Sequence, residues 1–355
     1  GSLAVADGAI VEICGSGSGV HGVVDLAGDY LLPGFIELHT DNLEKHFAPR
    51  PGVSWPPVPA VLAHDAQIAA AGITTVYDAL AVGDLNEHSG RLQNLSNMAS
   101  ALRDARRRLR AEHRIHLRCE VSHPHVVEIF HDYVDEAGVG LVSLMDHTPG
   151  QRQFTRMDKY KQYYQGKYGF TDDELAEFIE RKLVSQRKYS APHRAILVEE
   201  CTRRGITLAS HDDATPAHVA EALENGVAIA EFPTTIEAAQ KAHDAGLKVL
   251  MGAPNLVLGG SHSGNVSAME LACEGVLDIL SSDYVPSSMV HGAFMLWTDG
   301  AKASLPAAVA AISSTPAKVA GLDDRGEIAP GKRADLVRVS AVDGSPAVVS
   351  VWRGG

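Results

Sequence analysis

Histidines and carboxylates in this chain gather where apolar runs end, and one such end is the densest. The run Phe35, Ile36, Glu37, Leu38 closes in His39, Thr40, Asp41. On a regular strand alternate side chains share a face, so His39 and Asp41 are expected to point the same way. An imidazole and a carboxylate side by side are a ready pair of metal ligands. Asn42, Glu44, Lys45, His46 and Arg50 follow directly and surround the pair with polar groups. The pattern recurs. Glu120 closes the run 115–121 and is followed by His123 and His125, and Asp146 and His147 follow 140–145. His211, Asp212 and Asp213 follow 206–210, Glu231 ends 227–232, and Asp283 follows 276–281.

Imidazole and carboxylate oxygen suit zinc, manganese or iron. The expected cofactor is one or two divalent ions, with zinc first and manganese or iron compatible. An ion of this kind lowers the pKa of bound water to roughly 7. A carboxylate such as Glu120 is able to bridge two ions, and Asp283 is suited both to hold a metal and to take a proton from water. The four cysteines (Cys14, Cys119, Cys201 and Cys273) are far apart and make no Cys-x-x-Cys. That argues against a disulfide framework or a structural zinc and fits a reducing cytoplasm.

Residues so distant in sequence meet only if the fold carries strand ends to one place. Eight apolar runs (34–39, 74–79, 115–121, 140–145, 206–210, 227–232, 248–251 and 276–281) alternate with helix-like spacing over 61–71, 92–112, 171–186 and 217–224. Eight such units predict a (β/α)8 barrel over 31–326, whose C-terminal strand ends converge on one mouth. An open doubly wound sheet is the alternative, but no Gly-x-Gly-x-x-Gly follows the first strand, which disfavours a dinucleotide site. Residues 1–30 and 327–355 read as short strands too small to bury a core alone. Together they predict one small β-sandwich built from both chain ends.

With 355 residues and a net charge of −13, the chain lacks the basic field that a nucleic-acid partner needs. No window approaches the ~18 apolar residues of a membrane span, and residues 1–10 lack the basic start and apolar core of a secretory signal. Local charge is uneven. Between Gly150 and Gly169 stand Arg152, Arg156, Lys159, Lys161 and Lys167 against one acid, Asp158. Guanidinium forks match phosphate oxygens bidentately, and lysines add point charge. Arg152, Arg156 and Lys159, with Lys45 and Arg50 beside the first metal pair, are the candidate contacts to an anionic small molecule. The glycine-rich stretch 259–265 offers backbone N–H groups to the same kind of ligand. Nothing in the composition speaks against a homo-oligomer.

The strand-one motif, the HDD after the fifth strand, Ser282-Asp283 after the eighth and the tail EIAPGKRADLV together resemble the amidohydrolase superfamily. Within it, ELHTDNLEKHFAPRPGVSW, AGITTVYDALAVGD, LMDHTPGQRQF, ASHDDAT and GGSHSGNVSA are similar to the PhnM family of the carbon–phosphorus lyase pathway. The resemblance implies hydrolysis of a ribose 1-methylphosphonate 5-triphosphate to the 5-phosphate and pyrophosphate. It further implies His39, Asp41, His211 and Asp283 as ligands, with Asp283 also the proton acceptor. Many members bridge two metals with a lysine on the fourth strand. None stands near 145–147, so the bridge is assigned to Glu120, with His147 as a further ligand and His123 as its competitor. The alternative substrate is a cyclic amide, an N-acyl group or an amino-substituted ring, which would have no use for the basic run at 152–167. A non-catalytic scaffold is the other alternative, and the intact ligand types at the strand ends speak against it.

Overall fold

A computed structural model of the chain describes residues 1–15, 23–50, 52–83, 91–136, 138–150, 152, 165–166, 169–261, 264–301, 303–342 and 344–355. A hairpin of β1 (Ser2–Ala6) and β2 (Ala9–Cys14) opens the chain and is followed by β3 (Tyr30–Pro33). The barrel strands are β4 (Phe35–Thr40), β5 (Ile73–Val82), β6 (Glu112–Glu120), β7 (Val139–Met145), β8 (Thr207–His211), β9 (Ile229–Glu231), β10 (Lys248–Gly252) and β11 (Ile279–Ser281). They form one parallel sheet in sequential order. The sheet closes where Thr40 bridges Asp283, with Asp41 N–H donating to the Asp283 carbonyl (3.0 Å) and Asp283 N–H to the His39 carbonyl (3.2 Å). Glu37 clamps the same seam. Its carboxylate accepts from the N–H of His39 (2.7 Å) and of Ser282 (2.5 Å).

Strand alternation explains the two cores. Inward positions Ile36, Leu38, Tyr77, Leu141, Ala209, Ile229, Leu250 and Ile279 fill the barrel. Outward positions such as Val76, Leu80, Leu117, Val142 and Val249 pack with Ile68, Leu95, Phe130 and Leu197 of the helices. Each fully buried aliphatic side chain contributes about 1.5–3 kcal/mol. On β6 an inward position is taken by His116, whose Nδ1–H donates to the Leu38 carbonyl (2.9 Å) and whose Nε2 bonds Ser143.

All eight apolar runs are strands, as expected, but β6 begins earlier than its apolar run. The helix expected over 92–112 ends as Arg91–Ala105 plus a single 3-10 turn, and Glu112 to Arg114 join the strand. The charge of Glu112 reads as helix surface in the sequence, but in the fold its carboxylate accepts from Arg325 and Arg333, both at 2.7 Å, at the start of the strand. The helix expected over 171–186 runs on as Asp172–Arg204, opened by a Thr171–Glu174 capping box and stopped by Gly205 at φ 67°.

At the chain ends β12 (Leu336–Val342) pairs antiparallel with both β13 (Ser345–Trp352) and β3. The β1–β2 hairpin joins them through the Ala9–Arg333 bridge and a bond from Ala334 N–H to the Gly8 carbonyl (2.8 Å). Ile10, Ala334 and Leu336 form the small core beneath, with Leu3, Leu31 and Trp352 against it. Leu31 to Pro33 therefore pair in this sheet and not in the barrel.

Between barrel and helices lies a buried polar chain. Asp78, on the outward face of β5, accepts from His64 Nε2 and from His113 Nδ1, both at 2.7 Å. His113 Nε2 reaches Asp65 (3.3 Å), and His64 Nδ1 meets the Asn42 amide (3.0 Å). This chain anchors the segment that carries Asp41. Burial opposes a charge on His113, but the Asp78 and Asp65 carboxylates outweigh it and raise its pKa to about 9. Burial lowers that of His64. A raised folded-state pKa contributes stability that is complete below the unfolded value near 6.5 and lost as pH rises through 9. The melting temperature is expected to fall across pH 6.5–9 more steeply in the parent than in His113→Asn. Parallel slopes in calorimetry at matched ionic strength would show that His113 is not charged in the fold.

Candidate metal centre

The inward faces of the strand ends supply the site. His39 does not reach it by simple alternation. The β4 register slips between Glu37 and Thr40, so Leu38 and His39 both reach the barrel interior. Asp41 is not on the strand at all but caps the short helix Asn42–Phe47. The expected neighbourhood holds, and its cause is the bulge and turn.

Glu231, fully buried at the end of β9, holds two histidines. His39 Nδ1 lies 3.1 Å from Glu231 Oε1, and His211 Nδ1 lies 3.2 Å from Oε2, which also accepts from Ser143 Oγ (2.6 Å). Burial pushes the Glu231 pKa up, but the neighbouring His39 and His116 imidazoles and the bonds from His211 and His39 hold it well below the usual carboxylate range. The His39 and His211 rings stack at 5.7 Å, and Phe232 stands edge-on to both at 4.9 and 5.4 Å. His147 is handled the same way. Its Nδ1 lies 2.7 Å from Glu120 Oε2, while Glu120 Oε1 takes the His147 N–H (3.1 Å) and Ser122 Oγ (2.7 Å). Burial again opposes the Glu120 charge, and His147 and Lys182 bring its pKa down to about 2.

Three histidines thus have Nδ1 tied to a carboxylate. With Nδ1–H donated, each Nε2 keeps its lone pair, the arrangement that orients imidazoles toward a metal. His211 Nε2 and His147 Nε2 lie 3.6 and 3.7 Å from Asp212 Oδ2. That oxygen is buried and has no hydrogen-bond partner among the described residues. Such spacings are long for hydrogen bonds and close to the roughly 3.3–3.5 Å between ligands on one ion with 2.0–2.2 Å bonds. The residues therefore fit a divalent cation. His39, His211 and Glu231 form a second, overlapping group with metal-holding spacing. The third such group, His64, Asp78 and His113, lies in the layer between strands and helices, where its facing atoms already bond each other.

Asp283 follows β11 beside Asp41. Burial and the Asp41 charge both raise its pKa. Asp212 (φ 57°), Phe232 (φ 52°) and Asp283 (φ 52°) all carry left-handed backbone directly after a strand. Non-glycine residues adopt it at a cost of about 1–3 kcal/mol each, and such strain concentrates at functional sites.

His39, Asp41, Glu120, His147, His211 and Asp283 thus lie together at the mouth. His123 lies against Gly83, the residue after β5, and its Nδ1 accepts from the His125 N–H (3.2 Å). Lys45 is exposed and donates to the Tyr284 carbonyl (2.5 Å), beside Asp283. Arg50 is exposed on a turn that Val53 N–H closes (3.0 Å). Arg152 is buried, and its guanidinium meets Asp213, Glu221 Oε2 (2.6 Å) and the His211 carbonyl (3.3 Å). Arg156, Lys159, Lys161 and Lys167 lie outside the described residues. Sequence reading named Asp212 and Glu231 at strand ends without giving them a role, and passed over His116, Arg118 and Lys182. Counting inward positions back from Glu120 on β6 would have found His116 and Arg118.

Because Glu231 orients two ligands at once, Glu231→Gln should weaken metal binding about 10–100-fold. Competition with a chromophoric chelator measures it. Unchanged affinity would mean that other contacts set the two imidazoles.

An amidohydrolase family model matches residues 60–355. The chain is 50% identical over 358 aligned residues to the alpha-D-ribose 1-methylphosphonate 5-triphosphate diphosphatase of Escherichia coli K12, covering all of this chain and 95% of that one. Among solved structures it resembles the N-acetyl-D-glucosamine-6-phosphate deacetylase of Mycobacterium smegmatis (15% identity, TM-score 0.60, 99% and 94% of the two chains). It also resembles the dihydropyrimidinase of Brevibacillus agri (14%, TM-score 0.52, 99% and 90%). These two are alike in fold, at identities that speak for fold alone. The full-length relative and the family match are of another order, and with them the chain belongs to the amidohydrolase family.

Proposed function

We propose that this chain is a metal-dependent hydrolase of a phosphoric anhydride. Its substrate is a ribose 5-triphosphate bearing a phosphonate at C1, and its products are the 5-phosphate and pyrophosphate. The observation that carries this reading is the full-length, 50% identity to a diphosphatase of that substrate. The mouth described above supplies ligands suited to the chemistry. The small-molecule substrate needs no nucleic-acid or membrane partner, and no described helix is long and apolar enough to cross a membrane. Four free cysteines fit a cytoplasmic setting.

One or two divalent ions, zinc first, would be held by His39, Asp41, His147, His211, Asp212 and Asp283. A bound ion supplies Lewis acidity toward a phosphoryl oxygen and makes water more acidic. The protein's own part is orientation and proton transfer. Glu231 and Glu120 fix the imidazoles; with both oxygens occupied, Glu120 serves here as the orienter of His147 and not as a bridge. Asp283 takes the proton of the attacking water. Phe232 walls one side of the two histidines and limits water there. Arg152 braces the loop after β8 through Asp213 and the His211 carbonyl, so in this reading it positions the ligand strand end and does not grip phosphate. Lys45 and Arg50 at the rim, and Arg156 and Lys159, complete the candidate contacts to substrate.

Asp283→Asn should keep the fold and most of the metal and lower turnover at least ~100-fold, the scale of a lost general base. The assay is pyrophosphate release from the ribose triphosphate by anaerobically purified, metal-counted protein. Parent enzyme that spares the triphosphate yet opens a cyclic amide would overturn the substrate. Full turnover by the Asn variant would remove Asp283 as proton acceptor.

A further inference from the structure

An active site that handles a triphosphate needs a cation with donors still open to it, and several of the described cations near this mouth are already turned to acids. Arg152 and Arg194 both turn to Glu221, and Arg152 also to Asp213; the Arg194 Nε, like that of Arg118, has no described partner, but its terminal nitrogen is already closed on a carboxylate. Lys45 gives one of its three donors to the Tyr284 carbonyl and stands exposed to solvent at the rim, where an ion contact is worth little. Arg325 and Arg333 sit at the opposite end of the barrel, on Glu112 at the start of β6. Lys182 lies against the Phe178 ring, with its charge felt by Glu120.

Arg118 is different. It occupies the inward position of β6 between His116 and Glu120, two residues that both face the barrel interior. Its side chain is 12% exposed. Its described ion-pair contact is a long one, Nη1 to Asp41 Oδ2 at 3.7 Å. Its Nε is buried with no hydrogen-bond partner among the described residues. A guanidinium held at a barrel mouth with an unused inner donor and one loose carboxylate is ready for a bidentate anion. Its position also suits the reaction, since its charge acts on Asp283 and on His116. If Asp41 turns to a metal, the Arg118 fork loses its last carboxylate partner and is open to phosphoryl oxygens.

We propose that Arg118 is a phosphate-binding residue of this site, gripping the polyphosphate of the substrate and the departing pyrophosphate from inside the barrel wall. This rests on the reading of the site as a triphosphate hydrolase. It places a phosphate-binding charge on β6. A guanidinium there stabilises charge as it develops on the leaving group.

The test uses full-length, metal-replete parent, Arg118→Lys and Arg118→Gln, with metal content measured in each. Calorimetric titration with inorganic pyrophosphate reads anion binding apart from turnover. Arg118→Gln should weaken pyrophosphate about 10²-fold and lower kcat/KM for the triphosphate by a similar factor, at parental metal content. Arg118→Lys keeps the charge and loses the fork, so it should fall between the two. Added guanidinium ion should restore part of the Gln variant's activity and none of the parent's. Unchanged pyrophosphate affinity in the Gln variant would overturn the proposal. So would metal loss in the Gln variant together with parental behaviour of the Lys variant, because Arg118 would then serve only Asp41. A parent that binds pyrophosphate through Arg118 but spares the ribose triphosphate would leave the anion site standing and refute the substrate reading.

Discussion

A single carboxylate, Glu231, sets the terms for the interior of this barrel. It is fully buried and ionised, and a buried charge without partners is too costly to keep. His39, His211 and Ser143 bond it, and His116 stands 3.9 Å away and bonds Ser143 in turn. Four strands therefore lend it polar side chains at one level, above a layer of Ile36, Leu141, Ile229, Leu250 and Ile279 that is wholly apolar. The same bonds that make the charge tolerable leave the imidazoles aimed with free Nε2 atoms. Stability of the inner layer and orientation of the ligands are one interaction seen twice.

The mouth above that layer holds an excess of acids. Asp41, Asp212, Asp283 and Glu120 face His147, Arg118 and Lys182. Asp41 and Asp283 repel each other, and Asp212 keeps an oxygen without a described partner. A divalent cation removes both problems at once, since it neutralises the repulsion and supplies the missing partner. In the proposed reading such an ion would also let a chain of net charge −13 accommodate a polyanion, because the field at the site would be set by the ion and a few enclosed cations while distant surface acids are screened.

The site is also held rigid. Asp212, Phe232 and Asp283 keep left-handed backbone at three strand ends, and the barrel seam between β4 and β11 is clamped by Glu37. The buried Glu37 carboxyl, its pKa raised by burial to about 8, still accepts two backbone N–H groups. Loop conformations this costly persist only on a scaffold whose packing outweighs them, and the double core of the barrel is such a scaffold.

Much of this was legible before any coordinates. Eight apolar runs of strand length alternating with helix-like segments specify eight buried parallel strands, because only that arrangement buries both faces of each run. His39, Asp41, Glu120, His147, His211 and Asp283 were found by where those runs stop. Alternation predicts a facing only while the register is regular. The slip in β4 resets it, so the route by which His39 and Asp41 meet belongs to the fold. Charge patterning likewise counts ions without pairing them. Arg152 looked like a phosphate contact because it heads a basic run, and only packing shows it enclosed by Asp213 and Glu221, residues some 60 or more positions away. Arg118 has no mark in the sequence that sets it apart, and only the barrel's closure puts its guanidinium beside Asp41 with a donor unspent. Residue types and element boundaries are local properties, readable along the chain. Which side chain takes which partner is decided by contacts across it, and those exist only once the barrel has closed.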